Sequence, residues 1–225
     1  MLGETSDRLA PELCNTCAVD RAFREAPVAL WLEDFSRAAA HLERLRSRGI
    51  SELAPWLDEH PKEFAVLVRG MRVLDCNPAA ARMLGYPDAQ SLLSHLPDIF
   101  LPGTEAVLRA KLVALFEGHS EVSIETPLKH RGGDAIQVVV NMQLPYSGAA
   151  LDSVIVSTTD ITSRVRSERA LRESEQRLDL AIWGADLGVW ESNFPNGTSY
   201  YNDRWYRMLG YEPGELDNDI STWQD

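Results

Sequence analysis

Asn77-Pro78-Ala79-Ala80-Ala81-Arg82-Met83-Leu84-Gly85-Tyr86 is the stretch on which the fold of this chain turns. Asn77 is a good helix N-cap, and Pro78 stands at the first helical position, where its missing N–H costs nothing. Ala80, Met83 and Leu84 recur at helical spacing and predict a core-facing stripe, and Gly85 supplies the left-handed residue that ends the helix. The pattern returns as Asn202-Asp203-Arg204-Trp205-Tyr206-Arg207-Met208-Leu209-Gly210-Tyr211, with both Asn residues and both Arg-Met-Leu-Gly-Tyr strings offset by 125 positions. Shared caps and flanks at one offset mark the repeat of a whole domain. The chemistry of the motif is capping and packing, so it identifies a fold and not a site.

Working outward, 225 residues accommodate two ordinary domains, and 44% hydrophobic content is enough for packed cores. A net charge of −12 and the lack of a basic stripe argue against a nucleic-acid surface. No apolar run approaches the ~20 residues of a membrane span, and the N-terminus has no signal-peptide core, so a cytoplasmic location is expected. Three cysteines do not make a disulfide scaffold. Cys14-Asn15-Thr16-Cys17 has the spacing of a thiol pair or half a metal site, but no second Cys/His pair follows. Cys76 reads as a small core residue.

Residues 1–21 read as a flexible leader. Pro27–Leu32 is an apolar run of strand length, followed by a helical insertion over about 35–70. In it Phe35, Ala38, Ala39, Leu42 and Leu45 share a helical face; further helices carry Leu53, Trp56 and Leu57, then Phe64, Leu67 and Val68. An insertion this apolar must pack on something, either as a lid over one end of the sheet or as a dimer contact or ligand gate. After the Asn77 helix, Asp88–Leu96 predicts another, and Thr104 caps a longer one with Leu108, Leu112 and Leu115 on one face. The period then changes to two: Val122 and Ile124 alternate, as do Ile136, Val138, Val140, Met142 and Leu144, around a His130–Asp134 turn. A turn at Tyr146-Ser147-Gly148 leads to a strand over Val154–Ser157. The sum is an α+β fold, a five-stranded antiparallel sheet with helices on one face.

From Asp160 to about Trp183 a helix leaves this domain, supported by i, i+4 pairs such as Arg164–Glu168 and Arg169–Glu173. Val165, Leu171, Leu178 and Ile182 form a narrow seam suited to a parallel homodimer. The second copy opens with a strand over Leu187–Phe194, turns at Pro195-Asn196-Gly197 and pairs back over Thr198–Tyr201. It stops before its last three strands, as a fragment of a longer protein is expected to.

Arg72-Val73-Leu74-Asp75 leading into Asn77–Tyr86, together with Asp160-Ile161-Thr162 and the Arg-, Glu- and Leu-rich run after it, resembles a PAS domain and its signalling helix. The resemblance covers roughly 22–225: a first PAS domain over 22–160, a linker helix over 161–183 and the N-terminal part of a second PAS domain over 184–225. Glu33-Asp34-Phe35-Ser36 and the three-helix insert resemble a PAS variant of bacterial sensors, and Gly188-Val189-Trp190 resembles another subtype. The resemblance implies a sensory input module that detects a small ligand or a packing change in the cleft between sheet and helices. It implies that Asp160 and Thr162, matching the family's Asp-x-Thr, pass the change to the linker helix, which dimerises through Val165, Leu171 and Leu178. A downstream histidine kinase of a two-component phosphorelay is the first implied output, and a diguanylate cyclase or phosphodiesterase the second. The rival from another class is a ligand-free dimerisation scaffold.

No catalytic constellation is legible: there is no phosphate loop, nucleophile elbow or His-Glu-x-x-His. The five histidines (41, 60, 95, 119, 130) lack metal-ligand spacing, and only His95 lies on a helix near the expected cleft, where a haem ligand is the alternative to a structural role. The cofactor is left open. Gly132-Gly133-Asp134 continues as Ala135-Ile136, so it lacks the Glu-Phe of a cyclase signature and reads as a turn. The Asn-Cys-Arg-Phe-Leu of flavin-adduct photoreceptors is absent.

Overall fold

The computed structural model describes residues 10–144, 151–217 and 219, with side chains from residue 17 onward. The chain divides into two compact units, 1–163 and 164–225. The leader over 1–9, the turn at Tyr146-Ser147-Gly148 and the Cys14 side chain lie outside the described residues.

In the first unit the elements are α1 (Ala10–Glu25), β1 (Ala29–Asp34), α2 (Ser36–Ser47), α3 (Leu53–Glu59), α4 (Pro61–Arg69) and β2 (Arg72–Cys76). They continue as α5 (Pro78–Met83), α6 (Ala89–Ser94), a 3₁₀ turn over Leu96–Ile99, α7 (Thr104–Glu117), β3 (Glu121–Lys129), β4 (Ala135–Gln143) and β5 (Val154–Asp160). The strands make one antiparallel sheet in the order β2-β1-β5-β4-β3. This is the α+β class expected from the change of period. Period-two alternation puts Ala29 and Trp31, Val122 and Leu128, Val138 and Met142, and Val154 and Val156 on one buried face. Helices α5, α6 and α7 close that face with Ala80, Leu84, Leu92, Val107 and Ala114.

The opening motif folds as its caps dictate. Asn77 Oδ1 accepts from Ala80 N at 3.0 Å, Pro78 opens α5, and Gly85 takes φ +78°. Gly85 is also where the β3–β4 hairpin docks: Arg131 N donates to the Leu84 carbonyl at 2.9 Å, and the His130 ring lies within 2.3 Å of where a Cβ on Gly85 would stand.

Helices α2, α3 and α4 build a second core with α7, in which Leu42, Leu45, Leu53, Leu57 and Leu67 meet Leu112 and Phe116. Helix α7 is therefore apolar on two faces, and not on the single Leu108-Leu112-Leu115 face that periodicity predicts. A helix between two cores is buried nearly all round. The insert thus seats on α7, where a lid over the sheet end was one expectation.

Three further differences have local causes. Residues 10–25 form α1 where a flexible leader was expected; its end is held by long-range bonds, Arg24 to Asp75 and Asn77 Nδ2 to the Phe23 carbonyl at 3.1 Å. Thr104 does not cap α7. Gly103, at φ +103°, is the cap, and the Thr104 hydroxyl donates back to the Leu101 carbonyl at 2.8 Å. Strand β5 runs past Ser157 to Asp160, because Thr158 points inward and accepts from the Trp31 indole at 2.9 Å.

The second unit comprises α8 (Thr162–Gly184) beyond its first two residues, β6 (Trp190–Asn193), β7 (Thr198–Tyr201) and α9 (Asp203–Leu209). Strands β6 and β7 form a hairpin from Trp190↔Tyr201 to Asn193↔Thr198. Asn202 caps α9 by accepting from Trp205 N at 2.9 Å, Gly210 ends it at φ +88°, and Tyr201, Trp205 and Tyr206 form a small core.

Candidate functional site

Between the sheet and α7 lies a cavity of about 190 Å³. Its floor is the inward sheet face, with Trp31, Leu128, Val140 and Val156. Val107, Leu108 and Lys111 of α7 form its roof, and Leu96, Ile99 and Phe100 one wall. Val68 and Met71, from the end of the insert, complete it. The insert therefore contributes to the cavity wall as well as to its own core.

The polar groups are few and mostly committed. Lys111 Nζ donates to both Glu33 oxygens at 2.8 Å, with both residues more than nine-tenths buried. The ammonium also stands 5.7 Å from the Phe35 ring centroid, a cation–π distance. Glu33 reaches inward because it keeps the phase of Ala29 and Trp31. A bulge at Leu74 of β2, opposite the Leu32/Glu33 step, then aligns Glu33 with Val73. At the rim Arg72 is paired with Asp34, which also accepts from Ser36 N at 2.8 Å and from the Ser36 hydroxyl at 2.6 Å. The Arg72 and Ser36 hydrogen bonds hold the Asp34 carboxyl down at about 2.

Thr126 breaks this pattern. It is 4% exposed, lines the cavity from β3, and its Oγ1 finds no partner among the described residues. An unmatched buried hydroxyl costs about 1–3 kcal/mol. Val has the same shape without that cost, so packing alone does not account for Thr here.

The sequence-predicted transmission pair lies at the end of the same sheet. Asp160 Oδ1 accepts from Thr162 N at 2.8 Å, and Thr162 Oγ1 accepts from Gln137 N at 2.9 Å. Ile161 N donates to the Gln137 carbonyl at 2.8 Å, so β4 grips the start of α8 on both sides of one residue. On the β3–β4 ladder Thr126 faces Val138, and the next pair is Pro127 with Gln137. The cavity hydroxyl and the α8 anchor are thus one rung apart.

The remaining candidates sit elsewhere. Leu171 and Leu178 are each 60% exposed on α8, with Val165 half-buried, and the pairs Arg164–Glu168 and Arg169–Glu173 form at 3.0 and 2.9 Å. His95 is exposed and outside the cavity lining, its Nδ1 2.8 Å from the Ser91 carbonyl, so the structure turns it away from the cleft. Cys17 is exposed on α1, whereas Cys76 is buried and its thiol is pushed up to about 11, by burial first and then by Asp75. Among the described residues no three His, Cys, Asp or Glu side chains are grouped to hold a metal ion, and no helix is long and apolar enough to cross a membrane.

Sequence reasoning missed Glu33, Lys111 and Thr126 as site residues, although phase marks all three. Glu33 follows Ala29 and Trp31 at period two, and Thr126 stands between Ile124 and Leu128. Lys111 lies four residues after Val107 and three before Ala114, both buried.

Residues 57–166 match the family model described as PAS fold. This segment is a PAS domain. The match begins inside α3 and so leaves out β1, which the inserted helices separate from the rest of the sheet. A 50-residue segment is 36% identical to hybrid signal transduction histidine kinase A of Dictyostelium discoideum; it makes up 22% of this chain and spans 2% of the kinase. Similar solved structures include the PAS domain of a Colwellia psychrerythraea protein, at 14% identity over 66% of this chain and 98% of that one, with a TM-score of 0.43. Another is a sensory box histidine kinase/response regulator of Burkholderia thailandensis, at 19% identity over 72% and 98%, with a TM-score of 0.41.

Proposed function

We propose that the PAS domain is a sensory input module whose cavity takes a small ligand and whose occupancy is read at the start of α8. The observation that carries this is the adjacency of Thr126 and Gln137 on one ladder. A group bonded to Thr126 pulls on the β3–β4 pair next to the residue that holds Thr162 and Ile161. Apart from Thr126, the polar groups of the cavity lining are committed, and the described lining holds no nucleophile–base pair, which favours binding over catalysis.

The second unit reads as the beginning of a second PAS copy. Leu30 N donates to Asn77 Oδ1 across 47 positions, and Val189 N donates to Asn202 Oδ1 across 13, both at 3.0 Å. The difference, 34 residues, equals the span from Ser36 to Arg69 that holds the three inserted helices. Helix α8 joins the copies and pairs with a second chain through Val165, Leu171 and Leu178. The output is a histidine kinase in the same protein, with a cyclic-dinucleotide enzyme as the second candidate; a phosphoacceptor His in a helical hairpin downstream distinguishes them.

The test is native mass spectrometry of the purified 225-residue chain, then hydrogen exchange over 160–164 with the bound molecule present and removed. A retained small molecule whose removal changes exchange there supports the reading. A chain that retains nothing and whose exchange ignores added compounds overturns it in favour of a ligand-free dimerisation scaffold.

A further inference from the structure

Resting on the reading that the cavity is a ligand site, the geometry points to the chemical class of the ligand: a compact, uncharged molecule with an apolar body and one hydroxyl-type group, anchored by the Thr126 hydroxyl. Three observations carry this. Both cations in the lining are already matched, Lys111 by both oxygens of Glu33 and Arg72 by Asp34. Inside the cavity a charged ligand therefore finds no free counter-charge: it must break the buried Lys111–Glu33 pair or displace Asp34 from Arg72, which is half-exposed at the rim. The other hydroxyls of the lining are engaged, Thr158 by the Trp31 indole and Thr104 by the Leu101 backbone. Thr126 Oγ1 is then the lining's buried hydroxyl left without a partner among the described residues. Volume sets the size: an apolar cavity of ~150 Å³ holds benzene, so about 190 Å³ holds one ring with a small substituent.

A Thr hydroxyl both donates and accepts, so it serves an alcohol or phenol in either direction. The surrounding surface is aliphatic and aromatic, which suits the body of such a molecule. No covalent step is involved.

The experiment titrates phenol, toluene and benzoate into the full 225-residue chain by isothermal titration calorimetry, and repeats the titrations with Thr126→Val. Phenol and toluene have the same number of heavy atoms and differ in one hydroxyl, whereas benzoate carries a charge. The expected result is phenol binding about tenfold more tightly than toluene, as one buried hydrogen bond allows, with no detectable benzoate binding. Thr126→Val is expected to remove the phenol preference and leave toluene affinity within about twofold; toluene binding also shows that the variant is folded. Equal phenol and toluene affinity in the unaltered chain, or a Thr126→Val variant that keeps the phenol preference, overturns the Thr126 anchor but leaves the cavity reading intact. Benzoate as the tightest of the three overturns the uncharged class. Binding of none of the three overturns this ligand class, and in a chain that also retains nothing on purification it overturns the cavity reading with it.

Discussion

Leu30 and Asn77, 47 positions apart, are joined by two hydrogen bonds: Leu30 N donates to the Asn77 side-chain oxygen at 3.0 Å, and Asn77 N donates to the Leu30 carbonyl at 2.9 Å. The same side chain caps α5 and, through Nδ2, donates to the Val28 carbonyl at 2.8 Å. One fully buried amide thus fixes β1, β2, α5 and the end of α1 against one another. Asn202 repeats the pattern with Val189 N, the Leu187 carbonyl and Trp205 N, but it is only half-buried, whereas Asn77 is fully buried and also donates to the Phe23 carbonyl in α1.

Asn77→Ala is accordingly expected to cost about 3 kcal/mol or more, because it removes a cap and orphans several buried backbone groups at ~1–3 kcal/mol each. Asn202→Ala is expected to cost about 1 kcal/mol, close to the value of a cap alone. Urea denaturation of the two variants checks the order. Equal losses would show that the full burial of Asn77 and its bond to α1 add nothing to what Asn202 already makes.

The Glu33–Lys111 pair predicts a strong non-additivity. Lys111→Met leaves a buried carboxylate without its counter-ion and is expected to cost about 3–5 kcal/mol. Adding Glu33→Gln removes that charge and is expected to recover most of the loss. A double variant as unstable as Lys111→Met would place the pair's role in packing and not in charge balance. Thermal unfolding at fixed pH measures it.

What could be read from sequence divides along the line between local and distant causes. The Asn77 and Asn202 caps, the glycine stops and the alternation of β3 and β4 depend on neighbours within a few residues, and they fold as predicted. Lys111 stands in the buried phase of α7, but nothing near it in sequence makes a buried ammonium acceptable, because the carboxylate that matches it lies 78 positions away. Helix α1 was equally opaque, since Arg24 is tied to Asp75 across 51 positions. Thr104 misled for a different reason. Its hydroxyl had two local partners, and with Gly103 taking the left-handed cap position it turned back to Leu101.

Asp34 gives a pH prediction whose sign follows from its lowered pKa. Its carboxyl sits at about 2 when folded, against an ordinary value of 3.8. The stabilisation, on the order of 2 kcal/mol, is fully present above the unfolded value and is lost as pH falls through the folded one. Asp34→Asn is therefore expected to lower the unfolding midpoint at pH 7 and to flatten the decline between about pH 4 and pH 2. An unchanged acid limb would remove Asp34 as its source.

Thiol reactivity separates the two described cysteines. Cys17 is exposed, whereas Cys76 is buried with its thiol at about 11, so at pH 8 little of it is thiolate. In a Cys14→Ser background, a thiol reagent is expected to modify one group per native chain and two in denaturant. Rapid reaction of Cys76 in the native chain would mean that the β2–α5 junction opens readily.

Helix α8 carries the last prediction. Leu171 and Leu178 stand one heptad apart on α8, and each leaves 60% of its surface exposed, a poor arrangement for a helix that stays alone in water. The described charge pairs on this helix, Arg164–Glu168 and Arg169–Glu173, support its helicity at only ~0.2–0.5 kcal/mol each, so they favour helix without fixing a partner. Light scattering after size exclusion is expected to show a dimer for the 225-residue chain. The double substitution Leu171→Asn and Leu178→Asn is expected to give a monomer with an unchanged unfolding midpoint for the PAS domain. Thr162→Val, which removes the bond to Gln137 N at the start of the helix, is expected to leave the dimer intact while uncoupling exchange at 160–164 from ligand addition. A dimer that survives loss of both leucines would move the contact to another surface. A Thr162→Val chain that still responds to ligand would break the proposed connection between cavity and helix.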